Sequence, residues 1–542
     1  MKTFLVVNML SGFSWLFIVL VGLQFQLATW AHAELMVPLV KGGDRVNVHD
    51  SKQCIAKYAL KSEWLYLPMI SVNEKDVDGD IVYRIESDTS GIKAEIFTSV
   101  KWMQVNRPTL RENQKTKFRI REVPVYELLL DENSLPPEGK WINQKYKPPE
   151  HNVNGAAVYL HRVGAGDTNP VLLRLKIGGH VQPGLHKITI TENGRAAVTL
   201  CLSVLKDVLV DDSDRVRGIY YRGVTRPNSV EQIEVERLID DLAFIRSYGF
   251  NAITIYNSGF RNGLKYGKYA EEAGLDKAIV MQIPHRKISE YTSNSLAGNW
   301  ILKDNVYLMG VDEPNSSERL LRHSRVVDEI HGSGGKVFTA MNFESHAKQV
   351  NSTKTDLINF HIRSLRSEKY YSLVPKDSVN TYYWQSYLER PALNRLRSGV
   401  LLYWSRLDGI FPYAYSHFLE NALPYSGDLV ENEDEPGVKR KQYLSVYPTA
   451  FGRVSTYQWE AFRQGYDDTR ALDLLSSILS EVPSMEKRAT EISKTMNSMV
   501  ARIVRRYGLN YYDDPQQYNE QLSLDLDQLR DWVKAKIVEL GG

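Results

Sequence analysis

Only two cysteines, Cys54 and Cys201, occur in 542 residues, which excludes a cysteine-built metal centre and any multi-bridge disulfide framework. They form one bridge or remain two buried thiols, because spacing alone does not show whether their backbones approach. Excess charge of one sign is also missing: 67 basic against 65 acidic side chains leave +2. That balance lacks the electrostatic footprint a phosphate backbone attracts, so nucleic acid is not an expected partner. Beyond the N-terminus there is no second run of about twenty apolar residues, which excludes a polytopic membrane protein. Ser-His-Asp order, a phosphate-cradling glycine loop and metal-ligand spacing are lacking too, so neither cofactor nor metal is expected. Internal repeats and low-complexity tracts are likewise missing.

What the chain does have is a 43% hydrophobic composition, enough for a globular protein, spread over a length that implies two or three domains. Its 31 tyrosines and 10 tryptophans suit stacking on sugar faces, and equally suit aromatic cores. One positive charge at Lys2 precedes an apolar run from Phe4 to Leu27 that ends near Ala31-His32-Ala33, an A-x-A cleavage pattern. Residues 1–33 therefore read as a signal peptide. The run exceeds the usual signal core of about 7 to 15 residues, so an uncleaved membrane anchor is the alternative. Either way the bulk is expected outside the cytoplasm, secreted or periplasmic, with the anchor as the one membrane contact.

Residues 34–207 consist of short alternating strands, among them Trp64-Leu-Tyr-Leu67, Val171-Leu-Leu-Arg-Leu175 and Ala197-Val-Thr-Leu-Cys-Leu202. This pattern predicts a β-sandwich, with Glu192-Asn-Gly194 as a hairpin turn and the Pro-Pro-Glu stretches after Leu135 and Lys147 as irregular loops. After an aspartate-rich linker at 207–214 the rhythm changes to strand, helix, strand. Strands are predicted at 217–223, 251–256, 278–283, 306–311, 336–341, 356–362, 380–384 and 399–404, with a helix from Val230 to Tyr248 closed by Gly249. Eight such strands make residues 208–480 an imperfect (β/α)8 TIM-like barrel. The spacing then turns helical, so residues 481–542 form a helical tail packed on it.

The stretch Val306-Tyr-Leu-Met-Gly-Val-Asp312-Glu313-Pro314 carries the chemistry, because an apolar strand runs directly into two adjacent carboxylates. Pro314 cannot donate to a sheet ladder, and Asn315-Ser-Ser-Glu318 reads as a capping-box helix start. Asp312 and Glu313 then lie on a strand-to-helix loop at the barrel rim where active sites are built. Neighbouring side chains on a strand point to opposite faces, so both reach one pocket only past the regular strand. The bland alternative is favourable negative charge at a helix N-terminus. A second Asp434-Glu435-Pro436 lies in an acidic stretch with no apolar strand before it, and reads as solvated surface.

Strand ends supply further rim candidates: Tyr220 and Arg222, Tyr256 and Asn257, His285, Asn342, His361, Trp384 and Gln385, and Trp404 and Arg406. Trp384 and Trp404 are expected either to wall a sugar face or to pack in the core. His285 and His361 are more often structural. Glu460, Arg463 and Asp467 read as a structural ion network on the last barrel helix.

Gly310-Val-Asp-Glu-Pro314, Gly399-Val-Leu-Leu-Tyr-Trp404 and Tyr457-Gln-Trp-Glu-Ala-Phe-Arg-Gln-Gly-Tyr-Asp-Asp468 resemble glycoside hydrolase family 123 and the related barrel family called domain of unknown function 4091. The similarity spans most of residues 34–480, and the sandwich-then-barrel order agrees with it. It implies a retaining β-N-acetylgalactosaminidase in which the sugar's own acetamido oxygen attacks the anomeric carbon. On that resemblance Glu313 is the general acid and later base, and Asp312 orients the acetamido group and stabilises it as an oxazolinium. The region around the third strand, 277–289, is shorter than the family pattern. Should the sugar lack a 2-acetamido group, Asp408 or Glu389 is the expected second carboxylate. The expected partner is thus a carbohydrate, with Tyr220, Tyr256, Asn342, Trp384, Gln385 and Trp404 as the expected substrate-binding residues; alternatives are hydrolysis of another glycosidic bond in an extracellular polysaccharide, and polysaccharide binding without catalysis through the aromatic rim and the sandwich. Asn315-Ser-Ser and Asn351-Ser-Thr are glycosylation sequons, and a glycan on Asn315 would crowd the site.

Overall fold

The computed structural model describes residues 54–541 apart from internal stretches, of which the longest are 112–121, 131–156, 222–234, 256–266, 289–304 and 418–429. The signal or anchor segment 1–33, Asp434 to Pro436, the Pro-Pro-Glu loops and Asn351 of the second sequon lie outside the described residues.

Among the described residues ten strands precede the barrel: β1 (Cys54–Lys61), β2 (Trp64–Val72), β3 (Gly79–Ser87), β4 (Ile92–Val105), β5 (Thr109–Arg111), β6 (Glu122–Leu130), β7 (Ala157–Val163), β8 (Thr168–Ile177), β9 (Gly184–Glu192) and β10 (Arg195–Val208). One sheet has the order β1-β10-β9-β3-β7. The other runs β2-β8-β4-β6 and is extended by two strands from beyond the barrel, Gly452–Thr456 and Tyr447–Thr449. Both sheets feed one hydrophobic cluster, with Leu67, Ile96 and Leu173 from the second and Ile85, Ile188 and Leu200 from the first. Cys54 and Cys201 pair between β1 and β10 with Cα atoms 5.7 Å apart, which resolves the choice between bridge and thiols.

Strand β8 is buried on both faces. Alternation sends Leu173 and Leu175 toward the first sheet, while Leu172 packs with Tyr66, Phe97 and Tyr457 on the barrel side. Arg174 shares that second face, and there it meets Glu460, a carboxylate with no solvent exposure. Glu460 accepts from Arg174 Nη1 at 2.8 Å, Tyr248 at 2.5 Å, Ser455 at 2.8 Å and Tyr66 at 2.8 Å, so both oxygens are satisfied. Asp467, also on the last barrel helix, accepts from the Trp64 backbone at 2.9 Å and pairs with Arg463 at 3.2 Å. The expected ion network is therefore real, and it joins the N-terminal sheets to the barrel.

The barrel closes from eight parallel strands: β11 (Val216–Ile219), β12 (Ala252–Ile255), β13 (Lys277–Val280), β14 (Val306–Met309), β15 (Lys336–Met341), β16 (Leu357–His361), β17 (Val379–Tyr383) and β18 (Gly409–Ile410). Outside it lie α1 (Val235–Ser247), α2 (Ser317–Gly332), α3 (Pro391–Ser398), α4 (Val400–Ser405) and α5 (Tyr457–Glu481), followed by α6 (Glu486–Ile503) and α7 (Pro515–Glu539). Seven strands fall where the apolar runs predict them.

The eighth does not. Residues 399–404 form α4 rather than a strand, and the closing strand is the two-residue β18. A six-residue apolar run has no periodicity that separates a buried strand from a buried helix. Here Val400, Leu401 and Leu402 have no exposure and join the core shared with α3 and α5. Arg406 then takes a left-handed conformation, φ 54°, that turns the chain into β18. Gly409 lies so near β11 that a Cβ would stand 1.8 Å from the Val216 carbonyl oxygen, so only glycine closes the ring there.

The helical tail is present as α6 and α7, and α7 docks through buried charge. Lys534 meets Glu63 at 2.7 Å, and Arg530 and Arg395 both bind Asp468. Among the described residues no helix is long and apolar enough to cross a membrane.

Candidate active site

At the C-terminal end of β14 the backbone leaves the sheet under tight control. Gly310 N–H still bonds the Phe338 carbonyl at 2.8 Å, and Thr339 Oγ1 donates to the Val311 carbonyl at 2.8 Å. The Arg319 guanidinium donates to the Asp312 carbonyl, and Glu313 N–H reaches Ala340 O at 3.1 Å. Ser316 caps α2 by accepting from Arg319 N–H at 3.3 Å, one residue later than a cap at Asn315 would place it.

Glu313 has φ +44°, the left-handed region that non-glycine residues avoid. Preceding a proline adds to the cost, since that position favours extended backbone. This twist answers the problem of adjacent side chains diverging: it turns Glu313 back so that both carboxylates serve one mouth. Such strain costs about 1–3 kcal/mol and persists only where the surroundings impose it.

Around the pair, β15, β16 and β17 contribute Asn342, His361 and Tyr383. Tyr383, buried, donates to Glu313 Oε1 at 2.9 Å and also contacts Asn342 Oδ1. One hydroxyl proton cannot serve both; with the Asn342 amide turned over, its NH2 donates to the Tyr383 oxygen and leaves that proton for Glu313. His361 stands edge-on to the Tyr383 ring at 5.1 Å, its Nδ1 accepting from Arg363 N–H at 3.2 Å. Deeper in the barrel Tyr220 accepts from Asn359 Nδ2 at 3.3 Å and packs edge-on against Tyr413 at 5.0 Å. Gln385 bridges to Tyr413 beside it.

Electrostatics distinguish the two carboxyls. Desolvation within the concave mouth, then the Glu313 charge, push Asp312 up to about 6, against a smaller downward pull from Arg319. The Asp312 side chain is nevertheless open to solvent, which screens the interaction and leaves the stability it represents small. Burial, with Glu313 next, holds the Tyr383 hydroxyl protonated well beyond its usual range.

Of the expected substrate contacts, Tyr220 and Asn342 gather with Asp312 and Glu313, His361 joins them beside Tyr383, and Gln385 pairs through its backbone with Tyr413. Trp384 and Trp404 do not. Trp384 has no exposure and donates Nε1–H to Asn394 at 2.8 Å behind the barrel wall. Trp404, on α4, lies with Arg406 and Asp408 beside Tyr307, Lys336 and Val379, at the opposite, N-terminal end of the strands. Asp408 is engaged there too, accepting from Asn380 N–H at 2.7 Å, which removes it as a reserve carboxylate. Tyr256, Asn257, Arg222, His285 and Glu389 lie outside the described residues.

Tyr383 is the site residue that size-based reasoning passes over. Parity along β17 finds it: Thr381 bonds Asn359 inside the barrel, so Tyr383 shares that face while Tyr382 and Trp384 face outward into the helices.

The fold is that of a solved family 123 glycoside hydrolase from Clostridium perfringens, described in connection with glycolipid glycan hydrolysis. The TM-score is 0.61 and the identity 12%, over 92% of this chain and 98% of that one. Two others are far weaker. A Rhizomucor miehei β-1,3-glucanosyltransferase mutant bound to laminaritriose gives a TM-score of 0.29 at 16% identity, over 37% of this chain and 88% of its own. A Thermobacillus composti GH10 xylanase gives 0.29 at 13% identity, over 47% and 97%. Neither bears on substrate. No family model and no curated protein matches the chain.

Proposed function

We propose that this protein is a glycoside hydrolase that cleaves β-linked N-acetylhexosamine with retention, N-acetylgalactosamine being the expected sugar. The observation that carries the reading is the adjacent Asp312–Glu313 pair, turned into one barrel mouth by the left-handed Glu313. Fold similarity to a family 123 enzyme supports it at the level of architecture. Export through residues 1–33 and a β-sandwich built from the two N-terminal sheets, which share one core, belong to the same proposal. The expected partner is a glycan, with any membrane contact confined to the N-terminal segment.

In this mechanism the acetamido oxygen attacks the anomeric carbon while the glycosidic oxygen takes a proton from Glu313 and departs. Asp312 accepts a hydrogen bond from the acetamido N–H and stabilises the oxazolinium; Glu313, now a carboxylate, then takes a proton from the water that opens the ring. Substrate assistance of this kind is a recognised exception to a pair of carboxylates set across the sugar. Burial, with the Glu313 charge next, raises Asp312 to about 6. An acetamido N–H bound to it favours its charged form, and two adjacent charges repel, so the shared proton is left on Glu313 where the leaving group needs it.

A second reading follows from the raised Asp312 itself: a sugar without the acetamido group, with Asp312 as the acid. Release of 4-nitrophenol from a β-N-acetylgalactosaminide, by the parent and by Glu313→Gln, tests the first. Loss of turnover in the variant with the fold intact supports it, and near-normal turnover refutes it. Hydrolysis of glycans lacking acetamido groups, abolished by Asp312→Asn, would favour the second. Binding without turnover would leave a carbohydrate-binding protein.

A further inference from the structure

Beneath the turn that carries the two carboxylates lies a buried histidine that the proposed chemistry does not use. His323, on the inner face of α2, has no solvent exposure. Its Nδ1 stands 3.2 Å from Val311 N–H, the residue immediately before Asp312. A backbone N–H can only donate, so Nδ1 accepts and the ring proton resides on Nε2. Nε2–H then donates to Thr355 Oγ1 at 3.0 Å, Thr355 to Thr353 Oγ1 at 2.9 Å, and Thr353 to the Val350 carbonyl at 2.6 Å. Every donor in this chain has one acceptor, and the direction is set at both ends by backbone groups.

The geometry points to His323 as a positioning residue that sets the height and direction of the Asp312–Glu313 turn. Val311 is the hinge on which this rests, because its peptide groups are clamped from both sides: N–H by His323 on α2, and C=O by Thr339 on β15. The next carbonyl, that of Asp312, is held by Arg319, four residues before His323 on the same helix. The left-handed Glu313 thus follows an anchored peptide, and imposed anchoring is what a strained conformation requires. Gly310 makes room for the clamp, since a Cβ there would lie 2.7 Å from His323 Nδ1 and Cε1. Burial also holds the imidazole down to about 4, so it stays a neutral acceptor through the range around 6 in which Asp312 titrates. Its role reaches the substrate through the backbone alone.

Two variants of the full chain separate positioning from packing. His323→Leu keeps apolar bulk and removes the acceptor, leaving Val311 N–H buried without a partner. His323→Asn returns an amide oxygen near the Nδ1 position. Hydrogen exchange over residues 308–316 is expected to speed at least about tenfold in His323→Leu and to recover toward the parent in His323→Asn. On the glycosidase reading, kcat falls about 10–100-fold in His323→Leu with KM held within about twofold, because a displaced acid costs alignment rather than binding. Unchanged exchange in His323→Leu, or equal loss in both variants, overturns the proposal. The exchange arm needs no substrate: the expected exchange pattern in a protein that hydrolyses no glycoside keeps the clamp and discards the proposed chemistry.

Discussion

If Glu313 is held in the left-handed region by its surroundings, glycine should be better tolerated there than alanine, the reverse of the usual order. Glu313→Ala and Glu313→Gly remove the same carboxylate and the same 2.9 Å bond from Tyr383, so those losses cancel in the comparison. What remains is backbone. At φ +44° a Cβ costs about 1–2 kcal/mol, and glycine avoids it. Glycine gives back about 0.5–1 kcal/mol through the freedom it adds to the unfolded chain. The net expectation is Glu313→Gly more stable than Glu313→Ala by about 0.5–1 kcal/mol. For a barrel of this size that is a separation of about 1–2 °C in the midpoint of thermal unfolding followed by tryptophan fluorescence. Arg325, exposed in the middle of α2, supplies the control, because there alanine should exceed glycine by about 1 kcal/mol. On the proposed glycosidase reading both Glu313 variants are expected to lose hydrolysis. Equal stability, or alanine ahead of glycine at position 313, would refute imposed strain as the device that turns the two carboxylates together.

Glu460→Ala takes one of two carboxylates from the buried Arg174, which keeps Glu95 at 2.8 Å, and strips the Tyr66, Tyr248 and Ser455 hydroxyls of their acceptor; it should cost about 1–3 kcal/mol in urea unfolding, more than an exposed ion pair such as Arg488–Glu539. An effect below about 1 kcal/mol would mean that the junction between sheets and barrel rests on apolar packing alone. Cys54→Ser opens a loop spanning 147 residues and should lower stability by about 2–5 kcal/mol, a difference that vanishes when the parent is reduced. Asp312 holds its proton more tightly folded than unfolded, so it favours the folded state below its unfolded value near 4, and that contribution is lost as pH rises through about 6. Asp312→Asn should therefore gain stability relative to the parent at pH 7 and not at pH 3.5; a gain of equal size at both would show that charge is not the cause. In Glu313→Gln the Asp312 carboxyl should titrate lower than in the parent, read by carboxyl carbon chemical shifts.

Seven of the barrel strands were legible because each is a short apolar run bounded by turn residues, and burial on both faces demands that pattern. The carboxylate pair was legible for the same reason, since Pro314 marks where the strand must stop. Legibility failed at 399–404, where composition is equally suited to strand and helix and the deciding contact is with α3 and α5, distant in sequence. Misplacing that element carried Trp404 to the wrong pole. For Trp384 an aromatic at a strand end suits a sugar wall and a core alike; strand parity selects the core behind the wall and brings Tyr383 into the mouth.

By itself the sequence determined the order of the parts and the chemistry available to them: strands before barrel before helices, two cysteines able to form one bridge, and adjacent carboxylates at a strand end. Periodicity and breaker residues act over a few positions, and so leave their record locally. Tertiary structure alone decided that Glu313 would turn left-handed, that Tyr383 rather than a tryptophan would reach it, that Glu460 would bind the sheets to the barrel, and that His323 would hold Val311 from below. Each of these depends on which distant side chain fills a given space, and that is set by packing the whole barrel.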